Sequence, residues 1–330
     1  MTLEDIGFYT LSDYRVSHAS FNSPLWRCEI ILTENCNFKC SYCRGLREDC
    51  KEELSLDYAK RVINYWGDEG LKNIRFSGGE PTMFKGLLEL VRLSKHRRIE
   101  RIAISTNGSA SLSYYNELVD AGVDDFSISL DACCGTFGDE IAGIKGSWDK
   151  VTKNIEALSQ KSYITVGVVI TESNVYQAAD IIRFAHRLGV ADIRVIPSAQ
   201  YNQHINAMAE IESEVIEAHP ILKYRIENHL RGCAVRGLTP KDNHRCPLVL
   251  DDMAVAGNYH FPCVIYMREQ GNPIGNMNDL KSIRRDRYLW FKKHDTYADP
   301  ICKKNCLDVC IEYNNRFDND RLLDRKNEPR

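Results

Sequence analysis

The chain has 330 residues, 43% hydrophobic and 27% charged, which is an ordinary balance for a globular protein of about two domains. Its 43 lysines and arginines nearly cancel its 46 aspartates and glutamates, so no basic field indicates nucleic acid and no acidic field indicates a basic partner. The 13 cysteines, with no apolar N-terminal signal and no run long enough to span a membrane, favour a cytoplasmic protein that uses thiols for metal binding or catalysis.

Short β-branched stretches alternate with amphipathic stretches along the first two thirds of the chain. The predicted strands are Glu29–Leu32, Asn73–Phe76, Ile102–Ser105, Asp125–Leu130, Ile164–Ile170 and Asp192–Ile196. The predicted helices are Leu56–Trp66, Lys85–Lys95, Leu112–Asp120, Trp148–Ser159 and Tyr176–Leu188. Repeated βα units imply parallel strands with helices outside. A doubly wound sheet also has this order, but marked polar residues after at least four successive strands favour the mouth of a barrel.

The last third of the chain differs in character. Pro220 is placed to begin a helix and Gly232 to end it. Further on, a hairpin is predicted with its turn at Gly257-Asn258, in a cysteine-rich unit small enough to gain stability from a metal. The predicted organisation is an irregular leader, a barrel, a helical bridge, a small C-terminal domain and a disordered tail, at residues 1–26, 27–198, 199–245, 246–316 and 317–330.

Three cysteines follow the first predicted strand in the segment Cys36-Asn37-Phe38-Lys39-Cys40-Ser41-Tyr42-Cys43. Three thiolates can hold a [4Fe–4S] cube and leave one iron free to bind another molecule. A buried helical stripe, a disulfide with a spare thiol, and a zinc site with a distant fourth ligand are the alternatives. The polar residues between the cysteines make a core helix unfavourable.

Three more segments follow strand ends: Ser77-Gly78-Gly79-Glu80-Pro81, Ser105-Thr106-Asn107-Gly108 and Ser129-Leu130-Asp131-Ala132. Together with the cysteine triplet, they resemble the radical S-adenosylmethionine (SAM) superfamily over residues 27–198. The resemblance implies an α/β fold with a partial (β/α)6 TIM-type barrel. It also implies that Cys36, Cys40 and Cys43 hold a [4Fe–4S] cluster whose free iron binds SAM, and that SAM is cleaved to a 5′-deoxyadenosyl radical.

The same resemblance gives a set of expected SAM contacts. The glycines would let the backbone approach a ligand, and hydroxyl and amide side chains suit a ribose or a carboxylate. Ser129 and Asp131 equally suit a helix cap and a loop ion pair. The expected contacts are Tyr42, Gly78, Gly79, Glu80, Ser105, Thr106, Asn107, Ser129, Asp131 and Ile196.

The C-terminal cysteines resemble the twitch and SPASM extensions of this superfamily, in which a β-hairpin and a helix bind an auxiliary cluster. The resemblance implies a second [4Fe–4S] cluster on Cys246, Cys263 and two residues among Cys302, Cys306 and Cys310. The CxxxCxxxC spacing departs from the family pattern. In one continuous helix, Cys302 and Cys310 would lie about 12 Å apart along the axis, too far for one cube.

These features predict a radical SAM oxidoreductase or epimerase. The expected substrate is a small polyhydroxylated molecule of sugar, cyclitol or nucleoside type, from which hydrogen is taken at an unactivated carbon. Cys134 and Cys233 are candidate hydrogen-atom donors, and Asp131, Arg194 and His204 are candidate proton acceptors. Candidate substrate contacts after the sixth strand are Gln200, Asn202, Gln203 and His204.

The same sequence features leave other functions open. One alternative is a maturase for a ribosomally made peptide or protein, and another is a non-catalytic iron–sulfur protein for electron transfer. A molybdopterin-type cyclase is disfavoured by the lack of a C-terminal Gly-Gly and by the spacing of the auxiliary cysteines. Expected partners are a small-molecule or peptide substrate and a reductant such as flavodoxin or ferredoxin, without nucleic acid or membrane.

Overall fold

The computed structural model describes residues 13–203 and 205–317. The strands are β1 (Arg27–Ile31), β2 (Asn73–Ser77), β3 (Arg101–Thr106), β4 (Asp125–Ser129), β5 (Tyr163–Ile170), β6 (Asp192–Pro197), β7 (Asp252–Ala256), β8 (Tyr259–Phe261) and β9 (Gly275–Asn276). The helices are α1 (Asp13–His18), α2 (Leu56–Asp68), α3 (Leu87–His96), α4 (Leu112–Ala121), α5 (Gly135–Ala142), α6 (Ser147–Ser159), α7 (Ala178–Arg187), α8 (Ser213–Ala218), α9 (Pro220–Leu230), α10 (Val264–Arg268), α11 (Ile283–Lys293), α12 (Pro300–Asn305) and α13 (Asp308–Arg316).

Strands β1 to β6 form a parallel sheet in which neighbours in space are neighbours in sequence. This order has no reversal point, so the doubly wound alternative is wrong. The sheet does not close, and helices connect successive strands on its outside, which confirms the partial (β/α)6 TIM-type barrel. Because the strands are parallel, all their carboxyl ends meet at one mouth.

The helix α2 illustrates why the crossover segments fold as they do. Its N-cap Ser55 accepts a hydrogen bond from the backbone N–H of Tyr58, which satisfies a donor at the helix start. Buried side chains recur at helical spacing along the face that packs on the sheet: Ala59, Val62, Ile63 and Trp66. The predicted amphipathic period therefore corresponds to the packing that holds the barrel together.

The C-terminal hairpin continues the barrel sheet. Strand β7 pairs in parallel with β1, with Arg27 opposite Asp252, and β8 then returns antiparallel to β7. The hairpin is confirmed, with Gly257 in the left-handed conformation its turn requires. The whole sheet has the order β6-β5-β4-β3-β2-β1-β7-β8-β9. The cysteine-rich unit is thus hydrogen-bonded directly to the strand that precedes the cysteine triplet.

The described residues of the predicted leader and tail pack against the C-terminal domain. Arg15 of α1 donates from Nε to Asp251 Oδ2 at 2.9 Å in a buried ion pair, and Val16 packs in the same apolar cluster as Tyr313. Phe317 is buried in that cluster as well, so it does not belong to a disordered tail. The rest of the predicted tail, 318–330, and the first 12 residues of the leader lie outside the described residues.

The CxxxCxxxC segment is not one helix. Helix α12 ends before Cys306, whose extended backbone (ψ 133°) turns the chain into α13. The separation of about 12 Å between Cys302 and Cys310, which assumes one continuous helix, is therefore wrong. Both cysteines line the same small cavity. Within the part of the chain that the structure describes, no helix combines the length and apolarity needed to cross a membrane.

Candidate active site

A cavity of about 420 Å³ lies at the carboxyl ends of the barrel strands. It is bounded by the cysteine-triplet loop, the ends of the strands, α5 and α10. Most of the expected cluster and SAM contacts line it: Cys36, Cys40, Tyr42, Cys43, Gly78, Gly79, Ser105, Thr106, Asn107, Ser129 and Asp131. The parallel topology thus brings together segments that lie far apart in sequence.

The cysteine triplet has the chemistry of an open cluster site. The backbone N–H of Phe38 and the side chain of Asn107 donate to Cys36 Sγ at 3.4 and 3.8 Å, which favours a thiolate. Burial raises the pKa of Cys36 and raises that of Cys40 to about 12, a cost that bound iron removes by displacing the protons. No further cysteine among the described residues lines this cavity, so a cube held here keeps one iron open.

Gly78 and Gly79 are required by the packing of the protein itself. A Cβ on Gly78 would lie 2.5 Å from the carbonyl oxygen of Thr33, and one on Gly79 would lie 2.2 Å from that of Glu34. The N–H of Gly79 donates to the Thr33 carbonyl at 2.6 Å. The two glycines therefore let the end of β2 approach the loop that carries the cysteines, in addition to lining the cavity.

Glu80, an expected SAM contact, does not line the cavity. It is fully buried, and its Oε1 accepts from the Thr82 backbone and from the hydroxyls of Thr82 and Thr106. Its Oε2 accepts from the Asn107 backbone N–H at 2.7 Å. Burial raises the pKa of Glu80 while these hydrogen bonds act to lower it. Glu80 is thus a positioning residue that acts through Thr106 and Asn107.

Glu80→Gln is expected to destabilise the fold by about 2 kcal/mol, because the new amide places N–H donors against the Asn107 N–H. The shift of Asn107, which contacts Cys36, should also weaken SAM binding about tenfold, or about 1.4 kcal/mol. Chemical denaturation and SAM titration of the reconstituted protein measure the two effects. The control is Glu89→Gln on the exposed face of α3, which should leave both unchanged. Equal SAM affinity in the Glu80 and Glu89 variants would contradict the positioning role.

Tyr42 and Asp131 form a pair in the cavity. The Tyr42 hydroxyl donates to Asp131 Oδ2 at 2.5 Å, and the Val169 N–H donates to Oδ1 at 2.7 Å. Burial raises the pKa of Asp131 to about 6, and the two hydrogen bonds oppose this effect. The pair fixes the Tyr42 ring beside the last cysteine of the triplet. Catalysis by Asp131 stays a prediction.

Several expected residues lie elsewhere. Cys134 and Cys233 are exposed and do not line the cavity, because Cys134 precedes α5 at its solvent end and Cys233 follows the end of α9. Ile196 is half-buried on β6 but does not line the cavity either. Among the candidate substrate contacts, Gln200 lines the cavity, Asn202 and Gln203 are exposed outside it, and His204 lies outside the described residues.

Four arginines also line the cavity: Arg44, Arg194, Arg236 and Arg268. None of them was predicted from the sequence to bind an anion. Arg268 donates to the carbonyls of Gly45 and Gly78 at 2.9 and 2.7 Å, so it connects α10 to the cysteine loop. Arg194 donates from Nη2 to Ser127 Oγ at 3.1 Å, while its Nε is buried without a hydrogen-bond partner. The only local signal for Arg194 is a charged residue between the apolar residues Ile193 and Val195 of β6.

A second, smaller cavity of about 40 Å³ is lined by all five C-terminal cysteines: Cys246, Cys263, Cys302, Cys306 and Cys310. Burial raises the pKa of each thiol, and that of Cys246 reaches about 11. Nearby thiols raise the pKa of Cys306 further, with Cys310, Cys246 and Cys263 each contributing more than Cys302. Converging, partly buried thiols with few other partners fit a cluster that binds them as thiolates.

Comparison with known proteins agrees with this geometry. Residues 30–185 match the family described as the radical SAM superfamily. A protein of Methanococcus maripaludis named "Probable GTP 3′,8-cyclase" is 25% identical over 289 residues, covering 82% of this chain and 95% of that protein. The "GTP 3′,8-cyclase" of Mesorhizobium japonicum is 32% identical over 188 residues, covering 53% of this chain and 55% of that protein.

These relatives correct the predicted reaction. The expected oxidation or epimerisation of a sugar, cyclitol or nucleoside is wrong, because the curated relatives are cyclases of GTP. The peptide-maturase and electron-transfer alternatives are wrong for the same reason. The missing C-terminal Gly-Gly and the different spacing of the auxiliary cysteines disfavoured a cyclase, and the similarity to these relatives outweighs both points.

The fold has solved counterparts as well. The SuiB protein of Streptococcus suis, determined bound to S-adenosylmethionine, has a TM-score of 0.58 at 15% identity, covering 85% of this chain and 65% of that one. The cysteine-rich C-terminal region fits an auxiliary-cluster domain, so the expected cofactors are two [4Fe–4S] clusters and SAM. Residues 30–185 therefore form a radical SAM domain.

Proposed function

We propose that this radical SAM enzyme is a cyclase of a purine nucleoside triphosphate, and that it joins the ribose 3′ carbon of GTP to C8 of the base. The names of the relatives support the reaction, and the Methanococcus protein aligns over most of its length. The observation that carries the proposal is the arginine lining of the cavity, because guanidinium groups bind phosphates through paired hydrogen bonds.

The four arginines do not contribute equally. Arg44 is paired with Glu269 at 2.8 Å, and Arg236 donates to the carbonyls of Pro197 and Asn305. Arg194 has only one hydrogen bond to a neutral hydroxyl and a buried Nε without a partner. An anionic oxygen within reach of Arg194 would satisfy that buried donor. We therefore assign the main phosphate contact to Arg194.

Part of the cavity lining is apolar. Phe38, Ile141, Trp148 and Val151 form it, and Trp148 is held by donation from its indole N–H to the Ala132 carbonyl at 3.0 Å. An apolar wall suits a nucleobase and excludes water from a reactive intermediate. When bound, the triplet cluster and SAM supply a radical that takes a hydrogen atom from the substrate. The protein residues hold the cysteine loop, orient the triphosphate and exclude water.

The proposal is tested with reconstituted enzyme, SAM and dithionite under anaerobic conditions, with GTP, ATP, CTP or UTP added. GTP should stimulate 5′-deoxyadenosine formation the most and should be consumed in parallel, as followed by chromatography and mass spectrometry. With GTP deuterated at the ribose 3′ position, deuterium should appear in 5′-deoxyadenosine. Unlabelled 5′-deoxyadenosine from this GTP, or equal stimulation by all four nucleotides, would refute the 3′,8-cyclase proposal.

A further inference from the structure

The auxiliary cavity holds one cysteine more than a [4Fe–4S] cube requires, since a cube offers four ligand positions. The extra thiol has other metal-binding groups beside it. The Nε2 of His294, a carboxylate oxygen of Asp299 and the Sγ of Cys302 all lie within 4.8 Å of one another. Among the described residues, no other three side chains of His, Cys, Asp or Glu bring their ligand atoms within 4.8 Å of one another. We call it the His294–Asp299–Cys302 triad.

The separations in the triad are close to those between the ligands of one metal ion. His294 Nε2 lies 3.5 Å from Asp299 Oδ2 and 3.9 Å from Cys302 Sγ. An N–H···O hydrogen bond is normally about 2.7–3.2 Å long. Two ligands of a tetrahedral zinc ion, bound at about 2.0–2.3 Å, lie roughly 3.4–3.6 Å apart. The histidine–aspartate separation matches this spacing, and the histidine–cysteine separation exceeds it by about 0.3 Å, so a small side-chain shift would let the three atoms bind one ion.

The triad is held in place by its neighbours. Asp299 Oδ1 caps α12 by accepting from the N–H groups of Ile301 and Cys302, and the Tyr266 hydroxyl donates to Oδ2 at 3.0 Å. The His294 ring stacks on Trp290 with centroids 4.0 Å apart. Such outer contacts orient metal ligands before the metal binds. The side chains of His294 and Asp299 are 18% and 14% exposed, so an ion can enter from solvent.

The charge and softness of the donor set also suit zinc. A thiolate and a carboxylate neutralise a divalent ion, and a set of one sulfur, one imidazole nitrogen and one oxygen favours zinc over magnesium or calcium. Three protein ligands leave a fourth position for water or another molecule. We propose that His294, Asp299 and Cys302 bind one Zn²⁺, and that the auxiliary cluster is held by Cys246, Cys263, Cys306 and Cys310.

The test is metal analysis of the full chain, reconstituted anaerobically with iron and sulfide, given equimolar zinc and then desalted. Wild-type protein should hold about eight irons and one zinc per chain. Cys302→Ser and His294→Ala should each lose the zinc and keep about eight irons, with unchanged electron paramagnetic resonance of the auxiliary cluster. The matched control Cys306→Ser should keep the zinc and lose about four irons.

Other outcomes would overturn the proposal. Loss of about four irons in Cys302→Ser would make Cys302 a cluster ligand, and equal zinc in wild type and His294→Ala would place any zinc elsewhere. Cobalt gives a readout independent of iron. Cobalt added in place of zinc should show a thiolate-to-cobalt charge-transfer absorption in the wild type that is missing in Cys302→Ser. Identical cobalt spectra in the two proteins would refute ligation by Cys302.

Discussion

Replacing Cys36, Cys40 and Cys43 together by alanine is expected to abolish SAM cleavage and to lower the iron content from about eight to about four per chain. The three thiols are the only described cysteines in the large cavity, whereas the five C-terminal cysteines line a separate one. Loss of the triplet should therefore remove one cluster and leave the other. Iron and sulfide content, together with 5′-deoxyadenosine release under dithionite, measures both effects.

The matched control is the pair Cys134→Ala and Cys233→Ala. Both cysteines are exposed and do not line either cavity, so each variant should keep its iron and its rate of SAM cleavage. Residual cleavage in the triple variant would show that the triplet is not the SAM-activating site. A loss of cleavage in the control variants would show that the cavity has been assigned to the wrong thiols.

Arg194→Met is expected to raise the KM for GTP between tenfold and a hundredfold, with little change in the affinity for SAM. A hydrogen bond to a charged group contributes about 1.5–3 kcal/mol, and methionine fills similar space without charge or donors. Arg194→Lys should recover only part of the loss, because lysine cannot form the paired contact that arginine makes. Steady-state kinetics over a range of GTP concentrations gives the result.

Arg183→Met on α7 is the control for this prediction. Arg183 pairs with Glu212 on the surface and does not line the cavity. Its replacement should leave the KM for GTP and the rate of SAM cleavage unchanged. An unchanged KM in Arg194→Met, or a weakened affinity for SAM in place of GTP, would contradict the assignment of Arg194 to the phosphates.

The barrel was predictable from local pattern. Each of its six strands is a short apolar stretch followed by a polar turn, and the structure places all six within a few residues of the predicted bounds. Most residues of the segments expected to bind SAM line the mouth because their positions follow from the ends of parallel strands. Short motifs at strand ends therefore locate a site even when its parts are far apart in sequence.

The rest of the site depends on contacts that no local pattern contains. Glu80 lies beside two cavity-lining glycines, yet its carboxylate turns inward to Thr106 and Asn107. The arginines come from the cysteine loop, β6, the bridge and α10, and share no motif. The break at Cys306, between α12 and α13, brings together thiols that a continuous helix would separate. Each of these features requires the tertiary fold.

The pairing of β1 with β7 also constrains how the chain folds. Arg27 and Asp252 are joined by an ion pair across 225 residues of sequence. Pairing over such a separation costs loop entropy and slows folding. During synthesis, one edge of β1 stays open until the final third of the chain has emerged, and an unpaired strand edge is prone to aggregate. The last of the described strands to be made therefore cover the open edge of β1.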